Sequence, residues 1–129
     1  MPNADTIGDQ IKEIIIQYGK QNDNLKIVDS FGMIGYLSCM KYSKFLLGNT
    51  SSGFVEAAFF PKWVINIGNR QDGRLITQNI ITIPVEKTAI LKAVSDVENN
   101  IDIFFPSIYG DGEAASKMIE IFKNEYEKF

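Results

Sequence analysis

An α/β fold built on a parallel sheet is predicted by three observations on this chain. Short apolar runs alternate with segments whose apolar residues recur at helical spacing. Neither an internal repeat nor a low-complexity linker interrupts that alternation. The length of 129 residues, with 45% hydrophobic content, suits one core and leaves no room for two full domains.

Each element follows from its own residues. Ile7, Ile11, Ile14, Ile15 and Tyr18 recur at helical spacing and stop at Gly19, with Asp5 or Thr6 placed to cap and Asp9, Lys12, Glu13 and Gln17 on the polar side. A turn at residues 21–24 leads to a strand at 25–29, then a helix at 34–42, a strand at 45–48 and a helix at 52–60. Residues 63–68 and 79–83 read as further strands. Pro84 and Glu86 precede a helix carrying Ile90, Leu91, Val94 and Val97. A closing helix uses Ala115, Met118, Ile119, Phe122, Tyr126 and Phe129.

Composition narrows the function. A net charge of −3 gives no reason to expect nucleic acid or an anionic membrane as partner. No segment reads as a signal peptide or approaches the ~18 apolar residues of a membrane span, so a cytoplasmic location is expected. Cys39, the single cysteine, cannot form an internal disulfide and reads as a buried apolar residue among Leu37, Met40 and Tyr42. With no histidine and no close carboxylate cluster, neither a metal nor another cofactor is expected. The Gly-x-Gly-x-x-Gly fingerprint of a dinucleotide site is absent from the strand-to-helix turns.

Chemistry concentrates in two stretches. In the first, Phe45-Leu46-Leu47 runs into Gly48-Asn49-Thr50-Ser51-Ser52-Gly53-Phe54-Val55-Glu56-Ala57, which puts hydroxyls at the start of the expected helix. Such an end offers free N–H groups and a partial positive charge to a diphosphate. Glu56, one helical turn beyond Ser52, is placed to accept from a ribose diol. An ordinary N-cap followed by a solvated first-turn acid explains the same residues equally well. The second stretch is Asn66-Ile67-Gly68-Asn69-Arg70-Gln71-Asp72-Gly73-Arg74, where two arginines follow a strand at the expected carboxyl edge of the sheet. Open α/β sheets bind ligands at that edge. Arg74 is also read as a partner for Glu56 or Asp72 in a surface ion pair. Asp111, in Tyr109-Gly110-Asp111-Gly112, reads as a cap between glycines free to take positive φ.

These motifs, in this order and with the opening Pro2-Asn3-Ala4-Asp5-Thr6-Ile7-Gly8, resemble the carboxyl-terminal part of hydrolysing UDP-N-acetylglucosamine 2-epimerases. One departure is the segment Phe60-Pro61-Lys62, which has proline where the family usually has the glycine of Gly-x-Pro; it puts the helix exit there in question. The resemblance implies a Rossmann-like parallel sheet with flanking helices, belonging to the second domain of a glycosyltransferase-B-type fold. It further implies a reaction that eliminates UDP from UDP-N-acetylglucosamine and adds water to release N-acetylmannosamine, for sialic acid or capsule synthesis. The resemblance assigns Thr50 and Ser51 to the diphosphate, Ser52 and Gly53 to the turn, Glu56 to the ribose and Arg70 to the phosphate or sugar nucleotide. Arg74 joins this set. Asn3 matches an asparagine near the ligand, or is a turn residue ahead of the first helix. Phe31 matches the segment passing the uracil, or is core.

The family's acid and base groups lie on a first domain and on a histidine, so these 129 residues are expected to bind UDP or UDP-N-acetylglucosamine without turning it over. The chain reads as one partial domain, residues 1–129, either a truncated product or an excised portion. A sheet lacking its first two strands is expected to pair residues 25–29 directly with 45–48, giving four strands, or to be completed by a homo-oligomer or complementing chain. The alternatives are a stand-alone, non-catalytic UDP-binding module and, lowest, a receiver-type signalling domain.

Overall fold

A computed structural model of the chain describes residues 8–60, 62–100 and 108–126. They fall into two units, residues up to 39 and residues from 40 onward, each described in itself.

The first unit opens with helix α1, Gly8–Lys20, which runs through Gly19 to the following lysine. Its expected caps and Ile7 lie outside the described residues. The chain then returns over the helix end, where a side chain on Gly19 would collide with Ile27. Residues 25–29 are not a strand, contrary to expectation. Alternating apolar residues make a strand only where a neighbour takes up the backbone N–H and C=O groups, and the described residues supply none here. Helix α2, Gly32–Tyr42, follows Gly32 at φ 61°, and its last residues belong to the second unit. Met40 takes the buried position there at 3% exposure, and Cys39, about 100° away around the helix, is exposed rather than buried.

Among the described residues the second unit holds a parallel sheet of three strands in the order β1, β2, β3, formed by Phe45–Gly48, Trp63–Ile67 and Ile80–Ile83. All three coincide with the expected runs to within a residue. Register pairs Gly48 with Asn66 and Asn66 with Thr82, so the loops after the three strands leave from one edge. The expected four-stranded sheet is not formed, because its fourth strand was the segment 25–29.

Helix α3, Lys87–Asn99, covers one face: Ala93 and Val97 pack on Ile65, with Phe45, Trp63, Ile81, Ile83 and Val94 around them. The Trp63 indole N–H donates to the Asn100 carbonyl at 2.6 Å, fastening the end of α3 to the start of β2. Successive strand residues face opposite ways, and Val64 accordingly meets Gly53 on the other side of the sheet. That side holds the main departure from expectation. Residues 52–60 form no α-helix but two 3-10 turns, Ser51–Gly53 and Glu56–Phe59. Hydroxyls that bond to nearby backbone, a glycine and the β-branched Val55 all weaken the α-helical alternative. Phe54 and Ala57 are nonetheless fully buried at 1% and 0% exposure.

Ahead of the last helix, α4 (Ala114–Tyr126), the Tyr109 ring stands 6.5 Å from Phe59. Gly110 and Gly112 take φ of 94° and 90°, as their spacing predicts. The carboxylate of Asp111 accepts from the Glu113 N–H at 3.0 Å and from the Lys117 ammonium at 2.8 Å, which closes the turn leading into α4; the Lys117 N–H goes to the Glu113 carbonyl, so Glu113 rather than the expected Asp111 stands at the cap position. The contacts to Asp111 hold its carboxyl below the usual value of 3.8, the Lys117 hydrogen bond contributing most.

Candidate functional site

Two loops at the carboxyl edge of the sheet carry the expected ligand residues. The loop after β1 begins at Asn49 and turns at Thr50, whose extended backbone (φ −81°, ψ 144°) caps the first 3-10 turn. Its hydroxyl oxygen accepts from the Ser52 N–H at 3.3 Å. Gly53 N–H is taken by the Thr50 carbonyl and Phe54 N–H by that of Ser51. The α-helix expected to begin here, with its macrodipole, is therefore replaced by a 3-10 turn. What this loop presents instead is hydroxyl chemistry, with Thr50 and Ser51 exposed and Ser52 partly so. Gly53 is buried because it lies against β2: a Cβ there would sit 2.7 Å from Val64 Cγ1. Glu56 starts the second 3-10 turn, partly buried. The continuous helix that would stack it above Ser52 is missing.

The loop after β2 is a pair of interlocked turns opened by Gly68 at φ 76°. Asp72 N–H donates to the Asn69 carbonyl and Arg74 N–H to that of Gln71. Arg70 and Arg74 are both exposed, and among the described residues neither forms an ion pair, so the expected partnership of Arg74 with Glu56 or Asp72 is not found. Among the described residues, two side-chain hydrogen bonds from the second loop converge on one backbone oxygen of the first. Asn49 O accepts from the Gln71 side-chain amide at 2.7 Å and lies 3.5 Å from Arg70 Nη1, the first a full hydrogen bond and the second at its outer limit. Thus Arg70 is brought beside the hydroxyl loop.

Behind the loops, Asn66 is 3% exposed and donates its amide to the Gly68 carbonyl at 3.2 Å and to the Thr82 hydroxyl at 3.3 Å. Among the described residues its side-chain carbonyl oxygen is buried without a partner. Sequence reasoning assigned no role to Asn49, Asn66 or Gln71. The signal available for them was only amide side chains at strand ends, which mark turns as readily as clasps. Phe31 is in the first unit and half exposed, which removes its reading as core, and Asn3 lies outside the described residues. Among the described residues no helix is long and apolar enough to cross a membrane.

A parallel three-strand sheet flanked by helices, with hydroxyls beside an arginine at its carboxyl edge, defines a Rossmann-like α/β architecture. Comparison with known families matches residues 1–123 to UDP-N-acetylglucosamine 2-epimerase, and the chain belongs to that family, in agreement with the fold expected from its motifs. It is similar to a UDP-N,N'-diacetylbacillosamine 2-epimerase (hydrolyzing) of Legionella pneumophila, 34% identical over 95% of this chain and 32% of the relative. A GDP/UDP-N,N'-diacetylbacillosamine 2-epimerase (hydrolyzing) of Campylobacter jejuni is 50% identical over 61% of this chain and 21% of its own length. A polysialic acid biosynthesis protein of Escherichia coli is 38% identical over 72% of this chain and 24% of the relative. The chain thus spans about a third or less of each of these relatives.

Proposed function

We propose that this chain supplies the UDP-binding part of a hydrolysing 2-epimerase acting on a UDP-linked 2-acetamido sugar. The observation that carries this reading is the Asn49 carbonyl, which draws the hydroxyl loop and Arg70 together at the sheet's carboxyl edge. In this arrangement the diphosphate takes hydrogen bonds from the Thr50, Ser51 and Ser52 hydroxyls and charge from Arg70, while Gly53 keeps the turn close to the sheet. Glu56 accepts from the ribose, Arg74 adds positive charge at the loop's far end, and Asn3 and Phe31 are assigned to the ligand by family resemblance alone. UDP-N-acetylglucosamine fits the family, and two relatives named for UDP-diacetylbacillosamine extend the choice to a diacetamido sugar. The product would serve sialic acid or surface-polysaccharide synthesis in the cytoplasm.

Turnover requires groups that move the C2 proton and assist the departing diphosphate. No histidine is present in the sequence, and Asp111 is tied to Lys117 in the turn ahead of α4. The 129 residues alone are therefore read as a non-catalytic binding part, whose activity needs a complementing chain or further segment. Equilibrium dialysis with UDP, UMP and UDP-N-acetylglucosamine tests this. UDP retained above UMP, with no free UDP released from the sugar nucleotide, supports the reading. Equal retention of both nucleotides, or turnover by the chain itself, contradicts it.

A further inference from the structure

Arg70 and Gln71 are adjacent in sequence but oppositely placed: Arg70 is exposed, whereas Gln71 is buried at 9% exposure with its amide on the Asn49 carbonyl. A side-chain amide is a poor choice for an anion ligand when an arginine stands beside it, and its burial removes it from any ligand. Its position does suit another task. Asn49 directly precedes the hydroxyls of Thr50, Ser51 and Ser52, and the bond spans 22 residues between loops that no strand pairing joins beyond Gly48 and Asn66. The Gln71 carbonyl in turn accepts the Arg74 N–H, so one residue closes the arginine loop and ties it to the hydroxyl loop.

We infer that Gln71 is a positioning residue that sets the spacing between the hydroxyl loop and Arg70, and so the fit of the site to two linked phosphates rather than one. The inference rests on the UDP-binding reading above. A held spacing costs no ordering when the diphosphate arrives, and a loosened one makes binding bear that cost. Gln71→Met keeps the volume and removes the donor; Gln71→Glu keeps the shape and replaces the donor with an acceptor facing a carbonyl.

The test has two arms on the full chain, wild type and both variants. The first reads loop order by amide NMR relaxation at residues 49–53, together with the through-bond coupling between the Gln71 amide and the Asn49 carbonyl carbon. The second reads affinities for UDP and UMP. The coupling is expected in the wild type, and the variants should lose loop order and lower the UDP-to-UMP affinity ratio about fivefold, the worth of one net hydrogen bond. A variant that is merely less stable loses both nucleotides alike and keeps the ratio, which overturns the inference, as does unchanged order at residues 49–53. Absence of UDP binding by the wild type would sink the functional reading instead. In that event, order lost in the variants leaves Gln71 as the clasp between the loops, and order retained removes that role too.

Discussion

Gly53 lies so close to Val64 that a single added carbon would stand 2.7 Å from the valine Cγ1. Val64 is itself buried at 3% exposure in the central strand, where a β-branched side chain has little rotamer freedom to yield. The glycine thereby brings the hydroxyl loop down onto the sheet. Gly53→Ala should destabilise the chain by about 1–3 kcal/mol through overpacking. Val64→Ala in the same chain should return part of that loss, because it removes the colliding methyl. Urea denaturation of the two single variants and the double variant measures the coupling. Strict additivity would show that the contact does not fix the loop.

Arg70 and Arg74 differ in what holds them. Arg70 Nη1 reaches toward Asn49 at 3.5 Å, whereas Arg74 is anchored by its backbone N–H on Gln71 and its side chain is exposed. Arg70→Ala should weaken UDP binding by about ten- to a hundredfold, the range of a hydrogen bond to a charged group. Arg74→Ala should cost less. Calorimetric titration at two salt concentrations reads both, and the Arg70 contribution should shrink at high salt.

Asn66 is the buried amide behind the arginine loop. Asn66→Leu strands the Gly68 carbonyl and the Thr82 hydroxyl and should cost about 1–3 kcal/mol. Asn66→Asp places a carboxyl where a carbonyl oxygen and a hydroxyl face it in a buried site. Burial favours the neutral acid, so its folded-state pKa rises above the unfolded value. The folded form then holds more protons than the unfolded one, and stability should fall as pH rises from about 4 to 7. A flat profile across that range would mean that water reaches the side chain.

Asp111 works in the opposite sense. Lys117 foremost, then the N–H of Glu113 and its own N–H, hold its carboxyl below 3.8 in the folded chain. Its contribution is present above the unfolded value and is lost as pH falls through the lower folded one. Both partners are exposed, so the gain is small. The direct check is the carboxyl-carbon NMR titration of Asp111: its midpoint should lie below 3.8 and move upward in Lys117→Ala.

The three strands were legible because Phe45-Leu46-Leu47, Val64-Ile65 and Ile80-Ile81 are apolar runs bounded by turn residues. The run Leu25-Lys26-Ile27-Val28 has the same local pattern, but strand formation depends on a neighbour, which a segment's own residues cannot reveal. Local sequence also misread residues 52–60, where Ala57 and Phe54 have helical spacing while the hydroxyls of residues 50–52 and Gly53 favour tighter turns. The ligand candidates stood out because hydroxyls and arginines are chemically conspicuous. Gln71 did not, since its importance comes from one bond to an atom 22 residues away.

The central claim is that the carboxyl edge of this sheet binds a uridine diphosphate. Amide NMR spectra of the isotope-labelled chain, recorded through a UDP titration, test it most directly. Dispersed resonances with saturable shifts at Thr50, Ser51, Ser52, Gly53, Glu56 and Arg70, and little change in α4, are expected. A dispersed spectrum that stays unmoved at those residues as UDP is raised would contradict it.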